Sequence, residues 1–247
     1  MVASGATIVV TGAGSGIGRA VTAKLLAGNA RIFGLDTDEV ALAAIPVRTG
    51  ARFVPLTCDV TDPEAVGKAF ASIGEKAGGL DGLVNAAGIG GEPGDITRTD
   101  IRTWTRTLEV NLTGTFLASR AAVPLMVTSG GGSIVHIASQ LGLVGTRGSP
   151  AYSASKGGVV ALGRSMALDH AADRIRVNVV CPGPVDTPMF QSSSGPANLS
   201  TLVEQLIPWG RIGRPEEIAA LVDFLLSGDA DYLTGAVIPI DGGWTAM

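Results

Sequence analysis

Residues 6–18 read ATIVVTGAGSGIG, a strand pattern followed by a glycine-rich turn. Its first part, Ala6 to Thr11, is an apolar run without polar alternation, which is typical of a strand buried on both faces of a sheet. A glycine-rich turn follows, and the pattern from Arg19 to Ala27 predicts a helix. Such a turn lets the backbone approach a phosphate at the helix N-terminus, so we predict a dinucleotide site, with a tight turn without ligand as the alternative. The residues predicted to form this turn around the cofactor are Gly12, Gly14, Ser15, Gly16, Ile17 and Gly18.

Strand and helix patterns alternate along the rest of the chain. Two of the helical patterns, Thr99–Val110 and Leu112–Thr128, are separated by Asn111. The alternation, without any repeat or heptad, predicts one α/β domain over 1–247: a Rossmann-type, doubly wound parallel sheet of seven strands. The stretch around 188–208, rich in Ser, Gly and Pro, is predicted to be a lid over a substrate site. Further strand patterns lie at Arg31–Asp36, Arg52–Thr57, Gly79–Asn85, Ser133–Ser139, Ile175–Cys181 and Gly235–Ile240.

The composition predicts a soluble, cytoplasmic protein. Of 247 residues, 46% are hydrophobic and 16% are charged, which argues against disorder. No uninterrupted apolar stretch is long enough to span a bilayer, and the N-terminus lacks the basic region of a signal peptide. A net charge of −4 gives no electrostatic reason to bind nucleic acid or a membrane, and Cys58 and Cys181 are expected to be reduced. His136 is interpreted as a buried, hydrogen-bonded strand residue, and we expect no metal site.

Two acidic residues follow predicted strands and bear on the choice of cofactor. Asp36 ends the second strand, about twenty residues beyond the glycines, where a dinucleotide site places an acid on the ribose 2′-hydroxyl. A 2′-phosphate would meet like charge there, and Ser15 and Thr37 offer no basic alternative, so the pattern favours NAD over NADP. The alternative for Asp36 is a helix N-cap. Asp59, beyond the third strand, is predicted to reach the adenine edge, with a plain turn role left open.

The candidate chemistry lies in residues 150–159, PAYSASKGGV. Tyr152 and Lys156 are four residues apart and therefore share one helix face. A phenol alone titrates near ~10, and a nearby cation favours the phenolate and moves the pKa toward neutrality. Ser139, one loop upstream, could hold a substrate oxygen beside Tyr152. On spacing alone, simple packing and solvation of the pair is the alternative.

Taken together, these motifs resemble the short-chain dehydrogenase/reductase superfamily over nearly the whole chain. The stretch from Thr11 to Gly18 is similar to that family's cofactor loop. Four residues match its catalytic set in order and approximate spacing, and residues 182–188 resemble the segment that holds the nicotinamide carboxamide. One departure is Ala86, which replaces the second Asn of the family's Asn-Asn-Ala-Gly motif and puts the local bracing of the strands in doubt. The four matching residues are Asn111, Ser139, Tyr152 and Lys156.

The resemblance implies a role for each matching residue. Tyr152 would exchange a proton with the substrate oxygen, and Ser139 would polarise that oxygen. Lys156 would lower the pKa of Tyr152 and bind the nicotinamide ribose, while Asn111 would keep the bend in its helix and position a water that links Lys156 to solvent. A homotetramer, or a dimer, packed through the helices at 112–128 and 152–170 is also implied. Besides Tyr152, Lys156, the glycine turn and the two acids, the residues expected at the cofactor are Val60, Asn85, Ala86, Ala87, Gly88, Val110, Pro182, Gly183, Val185, Thr187 and Met189.

These observations predict an NAD-dependent oxidoreductase that acts on a secondary alcohol or the matching ketone. The expected pocket is mostly apolar, which favours a small or medium uncharged substrate. The alternative within the same class is an NADPH-dependent 3-oxoacyl-carrier-protein reductase, which residues 210–217 also resemble. An alternative of another class is a non-catalytic dinucleotide sensor, against which the intact Ser139–Tyr152–Lys156 set argues. The residues expected to line the substrate pocket are Gly91, Gln140, Leu141, Val144 and Phe190.

Overall fold

The computed structural model describes residues 1–46, 52–193, 203 and 205–246. In this part of the chain, seven parallel strands form one sheet in the order β3-β2-β1-β4-β5-β6-β7, which confirms the predicted fold. The strands are β1 (Thr7–Thr11), β2 (Arg31–Asp36), β3 (Arg52–Thr57), β4 (Gly82–Asn85), β5 (Gly132–Ile137), β6 (Ile175–Pro182) and β7 (Val237–Ile240). The helices are α1 (Gly16–Ala27), α2 (Glu39–Ala43), α3 (Pro63–Ala77), α4 (Ile101–Leu108), α5 (Gly114–Thr128), α6 (Pro150–Asp169), α7 (Pro188–Ser193) and α8 (Pro215–Leu226).

The core lies on both faces of the sheet, as the apolar run of β1 predicts. Successive side chains of a strand point to opposite faces. Val10 accordingly packs in one buried cluster, which includes Leu25 of α1 and Ile218 of α8. Val9 packs in the other buried cluster, which includes Phe70 of α3. Helices on both faces leave the strand ends at the carboxyl edge of the sheet as the place for a ligand.

The strand order reverses between β1 and β4, and this is the crevice where open parallel sheets bind ligands. Thr11 and Asn85, the last residues of the two strands, are register partners. The Thr11 hydroxyl accepts hydrogen bonds from the backbone N–H groups of Ala86 and Ala87, each 3.1 Å long. This hydroxyl therefore links the end of β1 to the residues that directly follow β4.

The helical region around Asn111 differs from the prediction of two helices. The helix is continuous from Ile101 to Thr128, but residues Glu109–Thr113 adopt a π-helix between α4 and α5. Among the described residues, this is the one helix that is long and apolar enough to cross a membrane, with a mean hydropathy of 1.2. Buried side chains of α5, such as Ala118 and Met126, pack in the core of the domain. A core helix passes the same criteria of length and composition, so the feature is weak support for a membrane span.

The predicted lid at 188–208 is covered only in part. Residues 188–193 form α7, and Ile207 and Pro208 lie against Gly242 and Gly243 near the C-terminus. Residues 194–202 and 204 lie outside the described residues. The lid therefore stays a prediction.

Candidate active site

The glycine-rich turn is tight and lies against the residues that follow β4. Gly12 and Gly16 have φ angles of 67° and 48°, in the left-handed region that favours glycine. A Cβ on Gly12 would lie 2.8 Å from the backbone of Ala87, so a side chain there would close the turn. Ser15, the N-cap of α1, makes no side-chain capping bond, and the first turn carries no acidic residue. These features fit an anion at the N-terminus of α1.

Asp36 lies against the glycine turn. Its Oδ2 accepts a hydrogen bond from the Gly14 N–H at 2.9 Å, and its Oδ1 accepts one from the Asp38 N–H at 3.1 Å. The N-cap of α2 is Asp38, whose Oδ1 accepts from the Ala41 N–H at 2.9 Å. The alternative role of Asp36 as a helix cap is therefore wrong, and its carboxylate lies beside the predicted cofactor turn.

Asp59 combines the turn role with a place at the carboxyl edge of the sheet. Its Oδ1 accepts from the Thr61 N–H at 2.9 Å and from the Thr61 hydroxyl at 2.7 Å. Arg106 of α4 donates to the Thr61 hydroxyl and lies 3.5 Å from Asp59 Oδ2. Partial burial raises the pKa of Asp59, but the bonds from Thr61 and the charge of Arg106 outweigh burial and hold that pKa below its usual value. The neighbouring Val60 packs where a Cβ on Gly114 would stand, so this loop is fixed against α5.

Ser139 and Tyr152 come together because the turn after β5 docks on α6. Ser139 precedes a 3₁₀ turn at Gln140–Gly142, and its Oγ accepts from the Leu141 N–H at 3.1 Å. A Cβ on Gly142 would lie 2.8 Å from the carbonyl of Lys156, so the turn contacts the backbone of α6 directly. Burial raises the pKa of Tyr152, and a hydrogen bond with the Ser139 side chain opposes that rise.

Lys156 is buried, and its ammonium bonds to a backbone carbonyl of β5 rather than to the Tyr152 hydroxyl. It is 5% exposed, and its Nζ donates to the Ile137 carbonyl at 2.9 Å. The same Nζ lies 5.7 Å from the centroid of the Tyr152 ring. Burial lowers the pKa of Lys156 to about 8. The role predicted for Lys156 in lowering the pKa of Tyr152 stays a prediction; the ammonium bonds to a strand carbonyl, and burial raises the pKa of the phenol.

Asn111 lies in the π-helix, is fully buried and joins three elements. Its Oδ1 accepts from the Ile89 N–H at 2.8 Å, and its Nδ2 donates to the Ile89 carbonyl and to the Ser155 hydroxyl, both at 3.0 Å. The Ser155 hydroxyl in turn donates to the Tyr152 carbonyl at 2.7 Å. A Cβ on Gly88 would lie 3.2 Å from Asn111 Oδ1 and 3.4 Å from Lys156 Nζ, so the loop after β4 reaches both groups. Ser155 was not among the residues predicted from the sequence, although a Ser three residues after Tyr152 can bond back along a helix.

The predicted nicotinamide segment faces the glycine turn. A Cβ on Gly16 would lie 3.3 Å from Thr187 Cγ2, and a Cβ on Gly183 would lie 2.8 Å from Gln140 Oε1. Pro182 ends β6, and the buried Val185 forms a β-bridge with Gly213. These contacts bring the segment beside both the cofactor turn and the Ser139 turn.

Only some of the residues predicted to line the substrate pocket lie close to Tyr152 or are buried. Gly91 lies near Tyr152, since a Cβ there would be 4.0 Å from Tyr152 Cβ, and Gln140 is buried. A Cβ on Gly90 would lie 3.8 Å from Met189 Cγ, which places α7 over the same loop. Leu141 and Phe190 are half-buried, whereas Val144 is 37% exposed.

Asn85 turns its side chain into the interior rather than toward the cofactor turn. Its Nδ2 lies 3.0 Å from the Ser119 hydroxyl and 3.1 Å from His136 Nδ1. Burial lowers the pKa of His136 to about 4, so this histidine is neutral. His136 is thus buried and hydrogen-bonded, as the sequence predicts. Of Asn85, only the backbone lies at the strand end that a cofactor would reach.

A family model described as enoyl-(acyl carrier protein) reductase matches residues 12–245. The chain belongs to the short-chain dehydrogenase/reductase family. Members of this family bind nicotinamide dinucleotides, and this short-chain dehydrogenase/reductase is an oxidoreductase for substrates of the alcohol and ketone type.

Relatives and a solved structure agree with the family. The chain is 41% identical over 244 residues to a cis-4-hydroxycyclohexanecarboxylate dehydrogenase of Sinomonas cyclohexanicum, with 97% of this chain and 96% of that protein covered. It is 39% identical over 244 residues to a meso-2,3-butanediol dehydrogenase of Serratia marcescens, with 97% and 94% covered. The crystal structure of levodione reductase superimposes with a TM-score of 0.94 at 31% identity, over 98% of each chain.

Proposed function

We propose that this short-chain dehydrogenase/reductase transfers a hydride between NAD(H) and a secondary alcohol or its ketone. The observation that supports this most directly is the joining of Ser139, Tyr152, Lys156 and Asn111 beside the crevice between β1 and β4. Ser139 hydrogen-bonds the Tyr152 side chain, and Lys156 and Asn111 are each held by a contact from another segment of the chain. Relatives named for dehydrogenation of hydroxyl-bearing substrates support the same reaction class.

The cofactor would lie across the crevice, held by residues whose geometry fits it. The glycine turn would hold the diphosphate, Asp36 the adenosine ribose, and Asp59 with Val60 and Val110 the adenine. Residues 183–189 would hold the nicotinamide, and Lys156 its ribose. When bound, NAD would take up or supply the hydride. The Asp36 carboxylate beside Gly14 favours NAD, because a 2′-phosphate would be repelled there.

The protein's own groups would handle the proton and orient the substrate. Ser139 would hydrogen-bond the substrate oxygen, and Tyr152 would give a proton to it in reduction or take one in oxidation. Because burial raises the pKa of Tyr152, the phenol holds its proton at neutral pH, which suits ketone reduction. Lys156 would bind the nicotinamide ribose. Asn111 would hold the π-helix in place and position a water beside Lys156.

We also propose a cytoplasmic homo-oligomer, a tetramer or a dimer, that binds neither nucleic acid nor membrane. Helices α5 and α6 present apolar side chains to solvent, with Phe116 45% and Leu168 83% exposed. Burial of such side chains against another copy would remove apolar area from water. Light scattering of the purified protein tests this, and a monomer would contradict it.

The test of the proposed function is a titration with NADH and, separately, with NADPH, followed by nicotinamide fluorescence. We expect tighter binding of NADH, and then turnover of secondary alcohols that is lost in Tyr152→Phe while NADH binding is kept. Preference for NADPH would overturn the Asp36 assignment and favour a 3-oxoacyl-carrier-protein reductase. Tight binding without turnover by the wild-type protein would favour a dinucleotide sensor.

A further inference from the structure

One carboxylate holds the turn that precedes α8. Glu217, in the first turn of this helix, accepts hydrogen bonds from both terminal nitrogens of Arg211, at 2.9 and 2.7 Å. It also accepts from the Arg214 N–H at 2.8 Å, and the Arg214 side chain lies 3.4 Å from Glu217 Oε1. An isolated surface ion pair contributes little, but a two-pronged arginine–carboxylate pair within a group of charges holds a fixed geometry. Glu217 therefore fixes the shape of residues 211–214.

Gly213, inside this turn, is bonded to the segment that we assign to the nicotinamide. Its N–H donates to the Pro184 carbonyl at 2.8 Å, and its carbonyl accepts from the Asp186 N–H at 2.9 Å. These two bonds form the β-bridge between Val185 and Gly213. A Cβ on Gly213 would lie 3.6 Å from the Pro184 oxygen and 4.0 Å from Glu217 Oε2, so Gly213 lies between the segment and the carboxylate.

The bridge supports one side of the nicotinamide segment. At its start, the Gly183 N–H donates to the carbonyl of Ile240, the last residue of β7, at 3.0 Å. At its other end, Thr187 approaches the cofactor turn, where a Cβ on Gly16 would lie 3.3 Å from Thr187 Cγ2. Between these points the backbone of residues 184–186 is bonded to Gly213. A shift of Gly213 would therefore be transmitted to the groups that face the nicotinamide, and small displacements of a reacting group reduce rates steeply.

We propose that Glu217 is a positioning residue for hydride transfer, which acts through Arg211 and Gly213 to hold residues 184–187 against the nicotinamide. This rests on the proposed function, which places the nicotinamide on that segment. Since the adenosine ribose is assigned to Asp36 and the diphosphate to the glycine turn, the loss of Glu217 should affect the nicotinamide half of the cofactor selectively.

The test compares NADH with ADP-ribose, which lacks the nicotinamide, by calorimetric titration. In Glu217→Gln, the Kd for NADH should rise by about 3- to 10-fold, whereas the Kd for ADP-ribose should stay within about twofold. The value of kcat for a secondary alcohol should fall by about 3- to 10-fold, because the nicotinamide is held less precisely.

Glu216→Gln is the matched control. Glu216 lies beside Glu217 in the first turn of α8, is exposed, and forms no ion pair within the part of the chain that the structure describes. The substitution removes the same charge from the same end of the helix, and both Kd values and kcat should stay within about twofold of the wild type. Arg211→Lys is a second variant that keeps the charge and loses the two-pronged pair. It should weaken NADH binding by about 2- to 3-fold without weakening that of ADP-ribose, and it tests the proposal if Glu217→Gln does not fold.

The other outcomes overturn the proposal in distinguishable ways. Equal weakening of NADH and ADP-ribose in Glu217→Gln would assign the carboxylate to the general stability of the fold. An equal effect of Glu216→Gln would assign the result to charge at the helix end, and unchanged Kd and kcat in Glu217→Gln would refute the positioning role. A wild type that binds NADH but turns over no secondary alcohol or ketone would refute the proposed function, while the two Kd values would still decide whether Glu217 positions the nicotinamide. A wild type that binds neither NADH nor ADP-ribose would refute both.

Discussion

The side-chain nitrogen of Asn111 donates a hydrogen bond to the Ser155 hydroxyl at 3.0 Å, across 44 residues of sequence. This bond ties the π-helix to the first turns of α6, because the same hydroxyl donates to the Tyr152 carbonyl at 2.7 Å. Both side chains are fully buried, so water does not compete for the bond. These two bonds fix Asn111 relative to the helix that carries Tyr152 and Lys156.

Ser155→Ala is expected to lower kcat by about 3- to 10-fold, because small displacements in a site reduce rates steeply. The pH profile of kcat should shift as well, while the Kd for NADH changes little. Ser153→Ala is the matched control, since Ser153 lies two residues away on the same helix and its hydroxyl has no partner among the described residues. Steady-state kinetics across pH on both variants provides the measurement. Equal effects of the two substitutions would show that Ser155 has no such role.

Asp36→Asn is expected to narrow the preference for NADH over NADPH by at least about tenfold, because it removes the charge that would repel a 2′-phosphate. The amide keeps the size of the side chain and an acceptor for the Gly14 N–H. Asp38→Asn is the control: it removes one charge two residues away, and Asn caps helices as well as Asp does. The measurement is the dissociation constant of NADH and of NADPH for the wild type, Asp36→Asn and Asp38→Asn. A loss of preference in both variants would mean that general charge, not the Asp36 position, selects the cofactor.

The sheet could be predicted from the sequence, whereas the π-helix between α4 and α5 could not. Strands β2 and β3 have the predicted bounds, because apolar runs between polar turns leave few alternatives. The π-helix at Glu109–Thr113 does not follow from local periodicity, which predicted two helices. It coincides with bonds from Asn111 to Ile89 and Ser155, 22 and 44 residues away. Local patterns do not contain contacts of that separation.

The side-chain orientation of Lys156 was also beyond the sequence. The spacing placed Lys156 and Tyr152 on one face of a helix, and both lie there. A lysine has four flexible methylene groups, and the carbonyl it reaches is chosen by tertiary packing. Here that carbonyl belongs to Ile137 of β5, which only the folded chain brings near.

The rate of alcohol oxidation should rise with pH, and the rate of ketone reduction should fall. Oxidation requires the phenolate of Tyr152 as a base, and burial raises the pKa of this phenol above its usual value. The hydrogen bond with Ser139 lowers that pKa. Ser139→Ala should therefore shift the pH at which kcat/KM for oxidation rises to a higher value, and it should also reduce the maximum kcat/KM. Profiles of kcat/KM in both directions test this. If kcat/KM for oxidation rises at the same pH in Ser139→Ala as in the wild type, the assignment of Tyr152 as the titrating base is contradicted.

Lys156→Met is expected to abolish turnover and yet raise the melting temperature at pH 7 by about 2–4 °C, since removal of a buried charge is often stabilising. Burial lowers the pKa of Lys156 from 10.5 to about 8, so the unfolded chain holds this proton more tightly than the folded chain does. The loss of folding stability caused by burying the Lys156 charge is fully present below pH 8. It disappears as the pH rises from 8 to 10.5, where the lysine loses its proton in both the folded and the unfolded chain. The stability difference between variant and wild type should therefore shrink from pH 8 to pH 10.5. Calorimetric or chemical unfolding over this range provides the measurement. A variant less stable than the wild type at pH 7 would show that the bond to the Ile137 carbonyl outweighs the cost of burying the charge.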